Sequence, residues 1–225
     1  MKPRIADPIN SEHRLVSIIP RHGKMLLEAL ENVNQSPKKL PEWRTNQILN
    51  FISAVRINSD DLIARYKNGR IDALSQTTRN LMEVCIWIQY CNLSELHAKT
   101  FYEDSVRDVK EIMQSLLALY TSANGAPEQR LVSMLDGLRT VAADSGFQDF
   151  DRSYKRVRDA AKEVGRLDVF NTLYKVSSKL AHPTSMSLNF TGGLRKLLDC
   201  QFVGGEELAS ACLVEIEKHL KQMHS

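Results

Sequence analysis

Three side chains that could carry out acid–base chemistry recur at four-residue intervals close to residue 180. Tyr174, Ser178 and His182 would form one row on a helix, because residues four apart are neighbours on its surface. Pro183 follows directly and predicts that the helix ends at the histidine. A histidine at a helix C-terminus can act as an acid or a base near neutral pH. The row is therefore the first candidate catalytic site.

An arginine–glutamate pair is the second candidate. Arg79 and Glu83 are four residues apart, so they can form an ion pair on one helix face. The residues that follow position 80 are mostly apolar, and charges are costly to bury unless they are paired. Two interpretations stay open. Either the pair is buried and fixes the helix register, or Arg79 lines a polar pocket, where its guanidinium holds an anion or orients His182.

The elements that must position these residues are helices. Helical periodicity runs through almost the whole chain, and no segment alternates like a strand. It predicts an all-α bundle of seven to nine helices in a single domain, residues 1–225. Within it we expect an N-terminal helix and turn (1–40), long antiparallel helices (41–122), a second helical half with the Tyr/Ser/His row (127–199) and a C-terminal helix (205–225).

The two candidate sites would lie on helices with different surroundings. Residues 71–92 are apolar on nearly every side, which predicts a buried central helix around Arg79 and Glu83. The helix at 169–182 has one apolar stripe, and the Tyr/Ser/His row lies roughly opposite its centre. That stripe consists of Val169, Leu173, Val176 and Leu180.

Two further patterns concern packing. Pro20 stands inside a helical pattern and predicts a break or kink in the first helix. A strict four-three alternation of apolar residues predicts a long antiparallel or coiled-coil-like pairing. Its members are Tyr102, Val106, Val109, Met113, Leu116 and Tyr120.

Composition limits the function classes. The net charge of +3, from 30 basic and 27 acidic residues, is too balanced to indicate nucleic-acid binding by itself. The four cysteines have no two-residue spacing, so we expect free buried thiols and neither a metal nor a cofactor. No signal peptide and no apolar run of about 20 residues is present, so we expect a cytoplasmic protein without a membrane partner.

The segments Arg79-Asn-Leu-Met-Glu83 and Tyr174-x-x-x-Ser178-x-x-x-His182-Pro-Thr-Ser185 resemble the bacterial helical family filed as domain of unknown function 5677. The resemblance covers about residues 45–190. That family is in turn similar to HEPN domains, small helical bundles found in toxins, phage-defence proteins and dimerising modules. The resemblance implies a HEPN-like core with additional N- and C-terminal helices.

Two functions follow, and whether the protein is an enzyme stays open. The first is a helical interaction or sensing protein with a polar, anion-binding pocket, linked to bacterial defence or stress and partnered by a second copy or another protein. The alternative is a HEPN-like, metal-independent ribonuclease acting on RNA through His182 and Arg79. HEPN ribonucleases carry Arg-x(4–6)-His on one helix. No arginine of this sequence has a histidine at that spacing, so Arg79 would act from another helix.

Overall fold

The computed structural model describes residues 7–36, 39–124, 126–147, 149–181 and 194–224. Every regular element within these ranges is helical, which confirms the predicted all-α bundle. The α-helices are α1 (Pro8–His13), α2 (Ile19–Gln35), α3 (Glu42–Lys67), α4 (Ile71–Cys91), α5 (Glu95–Asn124), α6 (Gln129–Asp144), α7 (Val157–Glu163), α8 (Leu167–Ala181) and α9 (Leu194–His224). None of the helices so described is long and apolar enough to cross a membrane.

The chain divides into two compact units. The first comprises Met1–Leu93 together with Val157–Ser225, and the second comprises Ser94–Arg156. Both candidate sites belong to the first unit. The expected single domain of residues 1–225 and its HEPN-like core stay predictions.

Helix α4 is the centre of the first unit. Helices α3, α7, α8 and α9 all pack against it. Leu81 and Ile88 are buried on one side of α4, and Met82 and Ile86 are buried on another. Burial of each such side chain contributes about 1.5–3 kcal/mol to folding. The all-round apolar pattern of residues 71–92 therefore predicted the position of this helix correctly.

Pro20 is accommodated without a break in the helix. The residues before it, Arg14–Ile18, form a π-helical turn, and the Ile19 N–H donates to the Arg14 carbonyl five residues back. Proline has no N–H, and its ring would clash with the carbonyl four residues earlier in a regular α-helix. The wider turn relieves this conflict, so the predicted break or kink takes the form of a π-helical turn joining α1 to α2.

The second unit is a helical hairpin of α5 and α6. The two helices pack against each other, and the Tyr102 ring lies edge-on to Phe147 beyond the end of α6. Helix α6 covers only part of the predicted seam of α5. Tyr102, Val106 and Met113 are half-buried, whereas Leu116 and Tyr120 are exposed.

A buried charge cluster holds the base of this hairpin. The Arg107 side chain is 2% exposed, and its guanidinium donates to Asp104 at 2.7 Å and to Glu103 at 2.9 Å. Arg107 and Lys110 also donate to the backbone carbonyls of residues 149–150, at 3.3 Å and 2.8 Å. Two buried cations thus fix the segment that follows α6.

Candidate functional site

The buried face of α8 differs from the predicted one. Phe170, Ser177 and Leu180 are buried, whereas Val169 and Val176 are 45% and 36% exposed. Relative to the predicted stripe, this face is turned by about 50° around the helix axis. Burying the Phe170 ring removes more apolar surface from water than burying a valine does, which favours this orientation.

This rotation changes the position of the Tyr/Ser/His row. Tyr174 and Ser178 flank the buried face, and do not lie roughly opposite it as the sequence indicated. Tyr174 therefore reaches the neighbouring helix α4, and its ring also packs on Phe170 with the centroids 5.4 Å apart. Ser178 lies one turn further along α8 and is half-buried.

Arg79 joins α4 to α8. Its Nε donates to Glu83 Oε1 at 2.8 Å, and its guanidinium carbon lies 4.1 Å from the centroid of the Tyr174 ring. A guanidinium over an aromatic face is attracted by the ring quadrupole. The structure thus brings together three of the five predicted site residues, Arg79, Glu83 and Tyr174. Ser178 takes no part in these contacts, and His182 lies outside the described residues, so the place of both in the site stays a prediction.

The Arg79–Glu83 pair is only partly buried. The side chains of Arg79 and Glu83 are 24% and 28% exposed, so water still reaches both charges. Among the residues that the structure describes, Glu83 accepts the only hydrogen bond of the Arg79 guanidinium, through Nε. The two Nη groups face no acceptor there. Such a fork can bind a phosphate or carboxylate through two parallel hydrogen bonds.

Sequence reasoning missed a second polar cluster, around Arg44. Its guanidinium is buried and donates to Gln47, to the Cys91 carbonyl at 3.2 Å and to His219 Nε2 at 2.6 Å. Burial, together with the positive charge of Arg44, lowers the pKa of His219 to about 4. The His219 ring is therefore neutral at pH 7 and can accept the bond.

A cavity of about 420 Å³ adjoins this cluster. It is lined by His219 and by polar and charged residues that include Gln89, Arg166 and Lys218. Positions 44 and 219 are 175 residues apart, so no local spacing could have indicated their contact. In the described ranges, no group of three or more His, Cys, Asp or Glu side chains is arranged to hold a metal ion.

Comparison with known proteins gives one match. A family model described as a family of unknown function, DUF5677, matches residues 49–195. No curated protein and no solved structure matches the chain. The matched region contains Arg79, Glu83 and the Tyr/Ser/His row, and it covers well over half of the chain. The chain therefore belongs to DUF5677, a family of unknown function.

Proposed function

We propose that this chain is a helical interaction or sensing module that binds the anionic group of its ligand through Arg79. One observation carries the proposal. The Arg79 guanidinium is held between Glu83 and the Tyr174 ring, while its two Nη groups face no acceptor in the described part of the chain. An arginine kept only for helix stability needs no aromatic support from a second helix.

The surroundings of Arg79 suit recognition of an oxyanion. Glu83 and Tyr174 fix the direction and the plane of the guanidinium, so little side-chain entropy is lost when an anion binds. Glu83 also cancels most of the local positive charge. We therefore expect Arg79 to require an anion that accepts two hydrogen bonds, such as phosphate, and to discriminate against chloride.

Calorimetric titration with inorganic phosphate, at an ionic strength held constant with chloride, tests the proposal. Wild type should bind phosphate, and Arg79→Ala should lose this binding. Arg70→Ala is the matched control, because Arg70 pairs with Asp72 at 2.7 Å at the exposed start of the same helix. Equal phosphate binding by wild type and Arg79→Ala, or its loss only in Arg70→Ala, would contradict the proposal.

A metal-independent ribonuclease is the second candidate function. The contact between Tyr174 and Arg79 favours it, because one member of the Tyr/Ser/His row then shares a site with an arginine of another helix. In this function His182 would transfer the proton and Arg79 would stabilise the negative charge on the phosphorane. Ser178 and Tyr174 would supply hydroxyl groups to the same site.

Cleavage of RNA by the purified protein separates the two functions. A ribonuclease should lose its cleavage activity in His182→Ala and in Arg79→Ala, while Arg70→Ala keeps it. The same variants should relieve any slowing of bacterial growth on overproduction, as expected for a defence or toxin protein. Phosphate binding without RNA cleavage would favour the sensing module, and cleavage that survives both substitutions would exclude this ribonuclease mechanism.

A further inference from the structure

The hairpin of α5 and α6 exposes an unusually apolar surface. Six large apolar side chains on it are between 44% and 68% exposed. We call this surface the hairpin face; it consists of Ile112, Leu116, Leu119 and Tyr120 of α5 and Met134 and Val141 of α6. Contiguous apolar patches of this kind mark interaction sites, because scattered single residues are the norm elsewhere on a protein surface.

Both helices present these residues on the same side of the hairpin. Each residue of an α-helix is rotated by about 100° around the helix axis relative to the one before it. On both α5 and α6, the exposed apolar row therefore lies about 80° around the axis from the face that packs on the other helix. The rotation has the same sign in both helices. Because the helices are antiparallel, equal rotations bring both rows to one side. The hairpin is thus a single helical layer with one uncovered apolar face, which a second layer must cover to complete a core.

The centre of the hairpin face carries no charge. Residues 112–124 of α5 contain no Asp, Glu, Lys or Arg. Depletion of charge is typical of the core of a stable interface. A two-fold symmetric interface also places residues near the axis opposite their own copies, so a charge there would face a like charge. A charge-free centre therefore favours a second copy of the chain as the occupant.

Opposite charges stand at the two ends of the hairpin face. Asp108 lies at one end, where burial together with the neighbouring Asp104 and Glu111 raises its pKa. Arg130 lies at the other end, at the start of α6 and beside the C-terminus of α5. If two hairpins pack antiparallel around a two-fold axis near Leu116, each Asp108 would lie close to the Arg130 of the other copy.

A glycine on α6 fits the same arrangement. Gly137 occupies the exposed row between Met134 and Val141, and a Cβ at this position would meet no atom of the described residues within 4 Å. Glycine within a helix costs about 1 kcal/mol relative to alanine, and nothing in the described part of the chain approaches Gly137 closely enough to compensate for this cost. A missing side chain at the middle of the row lets a second helix approach closely.

We infer that a second copy of this chain docks on the hairpin face, so that the two hairpins form an antiparallel four-helix bundle. Four-helix bundles join two such layers at crossing angles near 20°, with apolar residues at every facing position. The inference does not rest on the proposed anion site, which lies in the other unit of the chain.

Sedimentation equilibrium with charge variants tests the inference. Wild type should be a dimer, and Leu116→Glu should weaken the dimer by at least about thirtyfold because it places two carboxylates at the axis. Gln114→Glu introduces the same charge on the opposite side of α5 and should leave the dimer intact. A monomeric wild type, or a dimer that Leu116→Glu leaves intact, would overturn the inference.

Cysteine cross-linking detects the pairing without weakening it. In a Cys200→Ser background, which removes the exposed native thiol, Leu116→Cys should give a disulfide-linked dimer under mild oxidation and Gln114→Cys should not. Asp108→Arg and Arg130→Asp should each weaken the dimer, and the double variant should restore it. Cross-linking at position 114 in place of 116, or a double variant as weak as the singles, would contradict the antiparallel pair.

Discussion

Acid should destabilise the first unit through one half-buried histidine, His219. Its ring accepts a hydrogen bond from Arg44 at 2.6 Å, and a proton on Nε2 would abolish this bond and place two cations side by side. Burial and the charge of Arg44 lower the pKa of His219 from 6.5 to about 4. The unfolded chain therefore binds the proton more readily than the folded chain does.

The sign and size of the effect follow from linkage. Above pH 6.5 the ring is neutral in both states, so the stability from this site is fully present. As the pH falls from 6.5 to about 4, the unfolded state takes up the proton first and the free energy of unfolding decreases. At 1.36 kcal/mol per pKa unit, the loss over this interval is about 3 kcal/mol.

Urea denaturation at a series of pH values between 7 and 4 measures this loss. His219→Gln keeps an acceptor for Arg44 but does not titrate, so its free energy of unfolding should fall by about 3 kcal/mol less than that of wild type. His13→Gln, at an exposed histidine of α1, is the control and should behave as wild type does. Parallel pH profiles for wild type and His219→Gln would refute the reasoning.

Four further substitutions should change stability by amounts that the structure sets, each measured by urea denaturation. Arg79→Ala should lower the free energy of unfolding by only about 1–2 kcal/mol, because its ion pair with Glu83 is partly exposed and the Tyr174 contact adds about 0.5–1 kcal/mol. A loss above about 4 kcal/mol would contradict this, since it would indicate that the Glu83 carboxylate is fully buried. Gly205→Ala should cost about 1–3 kcal/mol, since its Cβ would lie 2.7 Å from a Leu62 methyl carbon. A Cβ at Gly204 would meet no described atom within 4 Å, so Gly204→Ala should gain about 0.5–1 kcal/mol, and equal effects of the two substitutions would contradict this. Arg107→Met should cost about 3–5 kcal/mol because it removes the buried cation that pairs with the buried carboxylates of Glu103 and Asp104, and a neutral result would contradict that ion-pair geometry.

The sequence predicted the features that depend on local pattern. The apolar residues all around 71–92 indicated a buried central helix, and α4 has that position. The four-residue spacing of Arg79 and Glu83 indicated an ion pair, and the pair is present at 2.8 Å. Both predictions needed only the helical repeat, which fixes the neighbours of a residue on its own helix.

Features that depend on contacts between distant segments could not be predicted. The orientation of α8 is set by the surface of α4, so burial of Phe170 in place of Val169 left no trace in the periodicity. The Arg44–His219 bond joins α3 to α9. The partial exposure of Arg79 likewise depends on how closely α8 covers α4.

The nitrogen resonances of the Arg79 side chain test the central claim most directly. In protein with ¹⁵N-labelled arginine, inorganic phosphate at constant ionic strength should shift the Arg79 Nε and Nη signals with a saturating dependence. The signals of Arg70, whose Nε and Nη2 already donate to Asp72, should stay in place. Arg79 signals that do not move, or that move equally with chloride, would contradict the account of Arg79 as the anion-binding group.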